Sequence, residues 1–90
     1  MSATLAVRHT VTDYATWRAV YDEVATLRTQ HGCTAQAVFQ TPGDPNDVFI
    51  THEFPTLAQA QAFAGDPDLK AAMQRGGVAA PPRIEIFEGA

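Results

Sequence analysis

Two histidines sit in the middle of strand-like stretches, His9 in TLAVRHTV and His52 in VFITHEF. Imidazole titrates near neutrality and can take a proton from a phenol or an enol. An electron-rich aromatic that has lost such a proton can react with O2 directly. Strand side chains alternate between faces. His9 therefore shares a face with Leu5, Val7 and Val11, and His52 shares one with Val48, Ile50 and Phe54. If the two strands are antiparallel neighbours with aligned centres, the histidines are diagonal partners roughly 7–8 Å apart. Each could instead merely hydrogen-bond a neighbour at the edge of the core. A metal site on His9, His52 and Glu53 fails, because Glu53 and His52 are adjacent and point to opposite faces.

Something apolar must cover such a pair. Between Asp13 and His31, the residues Tyr14, Trp17, Tyr21, Val24 and Leu27 recur at three- and four-residue steps, with Val20 beside them. That spacing predicts one long helix with a broad aromatic face, which a sheet has to cover. Trp17, Tyr21, Phe63 and Met73 are the candidate walls of a cavity between helices and sheet. As ordinary core they would fill that space instead. His31 suits a helix C-terminus, where a cation is favoured. Cys33, with no helix N-terminus to activate it, reads as structural. Arg8 falls on the other sheet face and is expected to pair with Glu53 or Glu85 of a second copy.

The elements that position these residues follow in order. Thr4–Val11 alternates as a strand. Thr12 or Asp13 caps the long helix, and Gly32 closes it. Cys33–Gln40 and Val48–Phe54 read as a hairpin, joined by a loop over Pro42–Asp47 longer than the tight two-residue kind. Thr56-Leu57-Ala58-Gln59 is a capping box. The helix that follows carries Leu57, Ala60, Phe63 and Ala64 inward. Gly65 interrupts it, Asp66-Pro67 restarts it, and Gly76-Gly77 ends it. Pro81-Pro82 leads into a last strand, Arg83–Glu88. The order β-α-β-β-α-β with right-handed crossovers predicts an α+β, ferredoxin-like domain over 1–90, with antiparallel sheet order 4-1-3-2. Both helices then lie on one face. The other face is left bare, with Phe49 and Phe87 on it, and the obvious cover is a second copy.

Ninety residues with 46% hydrophobic content and 18% charge suit one small globular domain. A net charge of −4, with the basic residues scattered, argues against nucleic-acid partners and against a polybasic membrane patch. No apolar run reaches the roughly 20 residues of a membrane span. A lone cysteine and no visible secretory signal lead to the expectation of a reduced, cytoplasmic setting.

The strings LAVRHTVTDYATWRAVYDE, HGC, GDPNDVFITHEF, AQAFAGDPDLKAAMQRGGV and PPRIEIFE resemble the antibiotic biosynthesis monooxygenase-like family of dimeric α+β barrels. That resemblance implies a homodimer with facing sheets. It also implies a cavity in each subunit that holds a small hydrophobic or aromatic molecule. Some members oxygenate such molecules with O2 and no metal or flavin; others degrade haem, isomerise or cyclise. Haem degradation is not implied, since the first strand carries Arg8-His9, the third strand has no Trp and the second helix no His. The expected function is a cofactor-independent monooxygenase acting on an aromatic or polyketide-like molecule. His9 and His52 would be its catalytic residues. Trp17, Tyr21, Phe63 and Met73 would be its substrate-binding ones. A non-oxidative cyclase or isomerase, and a non-catalytic dimeric binding module, are the alternatives.

Overall fold

The computed structural model describes residues 2–90 of the expected 1–90 unit; Met1 lies outside the described residues. The elements run β1 (Ala3–Thr10), α1 (Tyr14–Glu23), α2 (Ala25–Gln30), β2 (Ala35–Thr41), β3 (Asp44–Phe54), α3 (Leu57–Ala64), α4 (Pro67–Arg75) and β4 (Arg83–Glu88). The four strands form one antiparallel sheet in the order β2-β3-β1-β4. This is the expected 4-1-3-2 order seen from the other edge. No helix among the described residues is long and apolar enough to cross a membrane.

The core is built by alternation. Ala3, Leu5, Val7 and His9 of β1 are buried beside Val48, Ile50, His52 and Phe54 of β3, and the helices cover them with Trp17, Tyr21, Leu27, Ala60 and Phe63. Burying these side chains supplies most of the driving force, at about 25 cal/mol per Å2 of apolar surface. Val11 lies past the end of β1 but stays in the core, through a bridge to Val78 just after α4.

Three local expectations change. The long helix over Asp13–His31 is two helices with a break at Val24, where the backbone leaves the helical region (φ −94°, ψ 23°). Leu27 N–H bonds there to the Val24 carbonyl, three residues back, which tightens the turn. The hairpin between β2 and β3 turns on only two residues, Pro42-Gly43. Proline presets the first position and Gly43 takes φ 82°, as a type II turn requires. The remaining turn formers lie in β3 as a bulge, since Thr41 pairs with Asp44 while Gln40 pairs with Val48. The capping box is also incomplete: Gln59 N–H donates to Thr56 Oγ1, but the Gln59 side chain accepts from the Thr56 hydroxyl rather than reaching the backbone.

The bulge has a use. Asn46 Oδ1 accepts from Tyr14 N–H at 2.9 Å, and its carbonyl accepts from Val11 N–H at 2.8 Å. The bulge therefore anchors the start of α1, whose N-cap Asp13 accepts from Thr16. At its other end, Gly32 (φ 83°) follows α2, as expected. His31 caps α2 and contacts Asp66, the N-cap of α4, at 2.7 Å.

The opposite sheet face is uncovered in the single chain. Phe39 and Phe87 are more than half exposed on it, and Phe49 is close behind. Phe39 joins the expected pair because it opposes Phe49 in register, with ring centroids 6.2 Å apart. Arg8 does not wait for a second copy. It forms a two-pronged ion pair with Asp47 of its own chain, at 2.7 and 3.2 Å. The Arg8 guanidinium and the Thr41 hydroxyl hold the Asp47 carboxyl down at about 2.

Candidate active site

All six residues singled out from the sequence line one cavity between the sheet and the helices. β1 and β3 form its floor with Val7, His9, Ile50 and His52. Trp17 and Tyr21 of α1, Phe63 of α3 and Met73 of α4 form its walls and roof. The half-buried side chains of Val20, Val24, Leu69 and Met73 form a rim between the first helices and α4. The cavity volume is about 40 Å3. That is room for ordered water. A fused-ring molecule needs the rim to move, and Met73, unbranched and flexible, is the side chain best suited to doing so.

Both imidazoles face inward, but they are not diagonal partners. His9 opposes Val48 and His52 opposes Leu5. Leu5 and His9 are four residues apart, so the histidines are separated by about 13 Å along the sheet. The expected alignment of strand centres fails because β1 and β3 pair without a break from Ala3↔Phe54 to Thr10↔Asp47, which sets His9 against Val48. The histidines instead stand at two ends of the cavity, joined by an aromatic row. His9 meets Trp17 edge-on at 5.6 Å, Trp17 stacks on Tyr21 at 4.9 Å, and Tyr21 lies 6.1 Å from His52.

Each end has its own electrostatics. His9 is 6% exposed, and neither ring nitrogen has a hydrogen-bond partner. Burial pushes its pKa below the ordinary histidine value, so the ring is neutral at pH 7. His52 is 4% exposed and is pushed down to about 4, by burial first and then by the positive charge of Arg28. Its Nε2 makes a long contact of 3.4 Å with the Tyr21 hydroxyl, while Nδ1 is unpartnered. Buried polar atoms in folded proteins nearly always have partners. Three orphaned imidazole nitrogens in one cavity mark it as a place for a ligand or for ordered water.

Arg28 is the lining residue that sequence reasoning passed over. It is 6% exposed, its Nη1 donates 2.8 Å to the Tyr21 carbonyl, and its guanidinium carbon sits 3.9 Å from the Tyr21 ring centroid. Tyr21 is among the last four residues of α1, whose carbonyls have no partner within the helix. The break at Val24 thus leaves a carbonyl for Arg28 to hold. The signal was present, since Arg28 lies seven residues after Tyr21 and so falls on the same helical stripe. The other expectations for polar residues stand apart from the cavity: Glu53 is exposed on the opposite face, and Cys33 caps its own loop by donating to the Ala35 carbonyl.

No curated protein matches the chain in sequence. Solved structures do match its fold. SnoaB, a cofactor-independent oxygenase from Streptomyces nogalater, superposes with TM-score 0.81 over 99% of this chain and 93% of its own, at 12% identity. A protein from Bordetella bronchiseptica gives 0.81 over 99% and 97%, at 15% identity. Rv0793 from Mycobacterium tuberculosis gives 0.74 over 100% and 96%, at 14% identity. Residues 8–75 match the sequence model of the antibiotic biosynthesis monooxygenases, and this span holds every side chain that lines the cavity except Val7. The chain belongs to the antibiotic biosynthesis monooxygenase family.

Proposed function

We propose that the protein is a cofactor-independent monooxygenase acting on a small aromatic or polyketide-like molecule held between sheet and helices. The observation that carries this reading is the set of three unbonded nitrogens on His9 and His52, neutral and buried under Trp17 and Tyr21. A neutral imidazole with a free nitrogen in a dry site can accept a proton. Trp17, Tyr21, Phe63 and Met73 bind the ring.

The chemistry balances without a cofactor. A phenolic or anthrone-type substrate gives its proton to imidazole, and the resulting carbanion passes electrons to O2. One oxygen atom becomes the new carbonyl of a former CH2 group; the other leaves as water with the two hydrogens. Substrate supplies all four electrons. The homodimer through the open sheet face belongs to the same proposal, supported by the exposed row of Phe39, Phe49 and Phe87.

O2 uptake with an anthrone-type substrate tests this. The wild type should consume O2, and a His9→Gln/His52→Gln double variant with unchanged circular dichroism should lose at least about a hundredfold in rate. Equal rates would remove the proposal. Turnover in the absence of O2 would replace it with a cyclase or isomerase using the same imidazoles. The narrowness of the cavity favours one second reading, a dimeric module that binds a one-ring ligand without transforming it.

A further inference from the structure

Arg28 is a charge without a counter-charge. Arg8, Arg18, Arg75 and Arg83 each pair with a carboxylate near the surface. Arg28 is nine-tenths buried and pairs with none among the described residues. Its guanidinium has five N–H donors. One goes to the Tyr21 carbonyl, and no other hydrogen bond from the group forms among the described residues. Stacking on the Tyr21 ring fixes its plane, so the remaining donors are held in place at the cavity wall. A largely buried charge is normally paired, engaged by a ligand or kept in reach of water; the free donors of Arg28 are not sealed from water, since only imidazole nitrogens are both fully buried and unbonded among the described residues. The titratable groups around Arg28, the Tyr21 hydroxyl, the neutral His52 and the Cys33 thiol, which burial pushes up, supply no negative charge.

We propose that Arg28 is the seat of an oxyanion, and that the ligand of this cavity is a hydroxylated aromatic bound as its phenolate or enolate with the oxygen against the guanidinium. This deepens the oxygenase reading by naming the charge state of the bound molecule and the residue that selects it. The O–H bond breaks with its electron pair left on the oxygen that Arg28 holds, and the proton passes to a neutral buried imidazole and then to solvent. Arg28 and the imidazoles have complementary tasks. A guanidinium beside His52 disfavours a second cation there, and the same field stabilises a negative oxygen. A weak base then suffices, because the acid it must deprotonate has been made stronger.

The test uses 4-nitrophenol, which changes colour on ionising, and 4-nitroanisole, which has nearly the same shape and cannot ionise. In wild-type protein the bound phenol should ionise at least about one pH unit lower than in free solution, and the phenolate should bind at least about tenfold more tightly than the anisole. Arg28→Lys should keep most of that preference. Arg28→Met should lose it while binding 4-nitroanisole as before. A bound phenol that ionises at or above its free value overturns the assignment, as does an Arg28→Met variant that binds the phenolate as tightly as the wild type. Should Arg28→Met fail to fold, the wild-type comparison decides: phenolate preference upholds the assignment and equal binding overturns it. The two readings part cleanly. Phenolate preference without O2 uptake upholds the role of Arg28 and removes the oxygenase; O2 uptake with the probe bound as neutral phenol removes only the role of Arg28.

Discussion

His52 shows what burial does to a single group. Desolvation and the nearby guanidinium hold it down at about 4, whereas in the unfolded chain it titrates near 6.5. Between those values the unfolded chain binds a proton that the folded protein does not, so stability falls as pH falls through that window. Below pH 4 the loss is on the order of 3 kcal/mol for His52, with His9 adding in the same direction. Urea midpoints between pH 7 and 4 should therefore drop steeply for the wild type. They should drop less for His52→Phe, which keeps a planar ring and removes the titration. Equal slopes for both would mean that burial does not lower the proton affinity of His52.

Elements decide where these groups stand. The unbroken β1–β3 ladder parts His9 from His52, and the bulge of β3 against β2 presents Asn46 to the first free N–H of α1. Asn46→Ala removes that acceptor while Asp13 still caps Thr16. The expected cost is about 1 kcal/mol, read as a lower urea midpoint with an unchanged slope. Because α1 carries Trp17 and Tyr21, loosening its start should also weaken any ring-shaped ligand. An unchanged midpoint would mean that Asp13 alone secures the helix. Faces and caps were legible from the residues. Period two turned His9 and His52 inward, and Asp13, Thr56 and Asp66 each cap the helix expected of them. Register was not legible, because alternation fixes faces but not which residues of two strands meet, and Pro42–Asp47 is compatible with either an open loop or a tight turn.

For the whole molecule, the question is what covers the open sheet face. In register, Phe39, Phe49 and Arg8 lie across neighbouring strands, and Phe87 lies beside Thr4. The proposed homodimer buries this face. Sedimentation should then show twice the chain mass, and Phe49→Asp should shift it to the monomer with the sheet intact by circular dichroism. Burying an unpaired carboxylate at such a surface is costly enough to break it. A wild type that sediments as a monomer at micromolar concentration would leave the open face without its proposed partner.

What the residues determined alone was the order of elements, the strand faces and the aromatic stripe of the first helical segment. Each follows from local periodicity and from side chains acting within a few positions of themselves. What only the tertiary structure decided was the separation of His9 from His52, the break at Val24 and the burial of Arg28 without a counter-ion. Those depend on which distant backbone groups meet, and hence on which charges lose their water. Arg28 looks like any helix-surface arginine until the β3 floor and the α4 rim close around it.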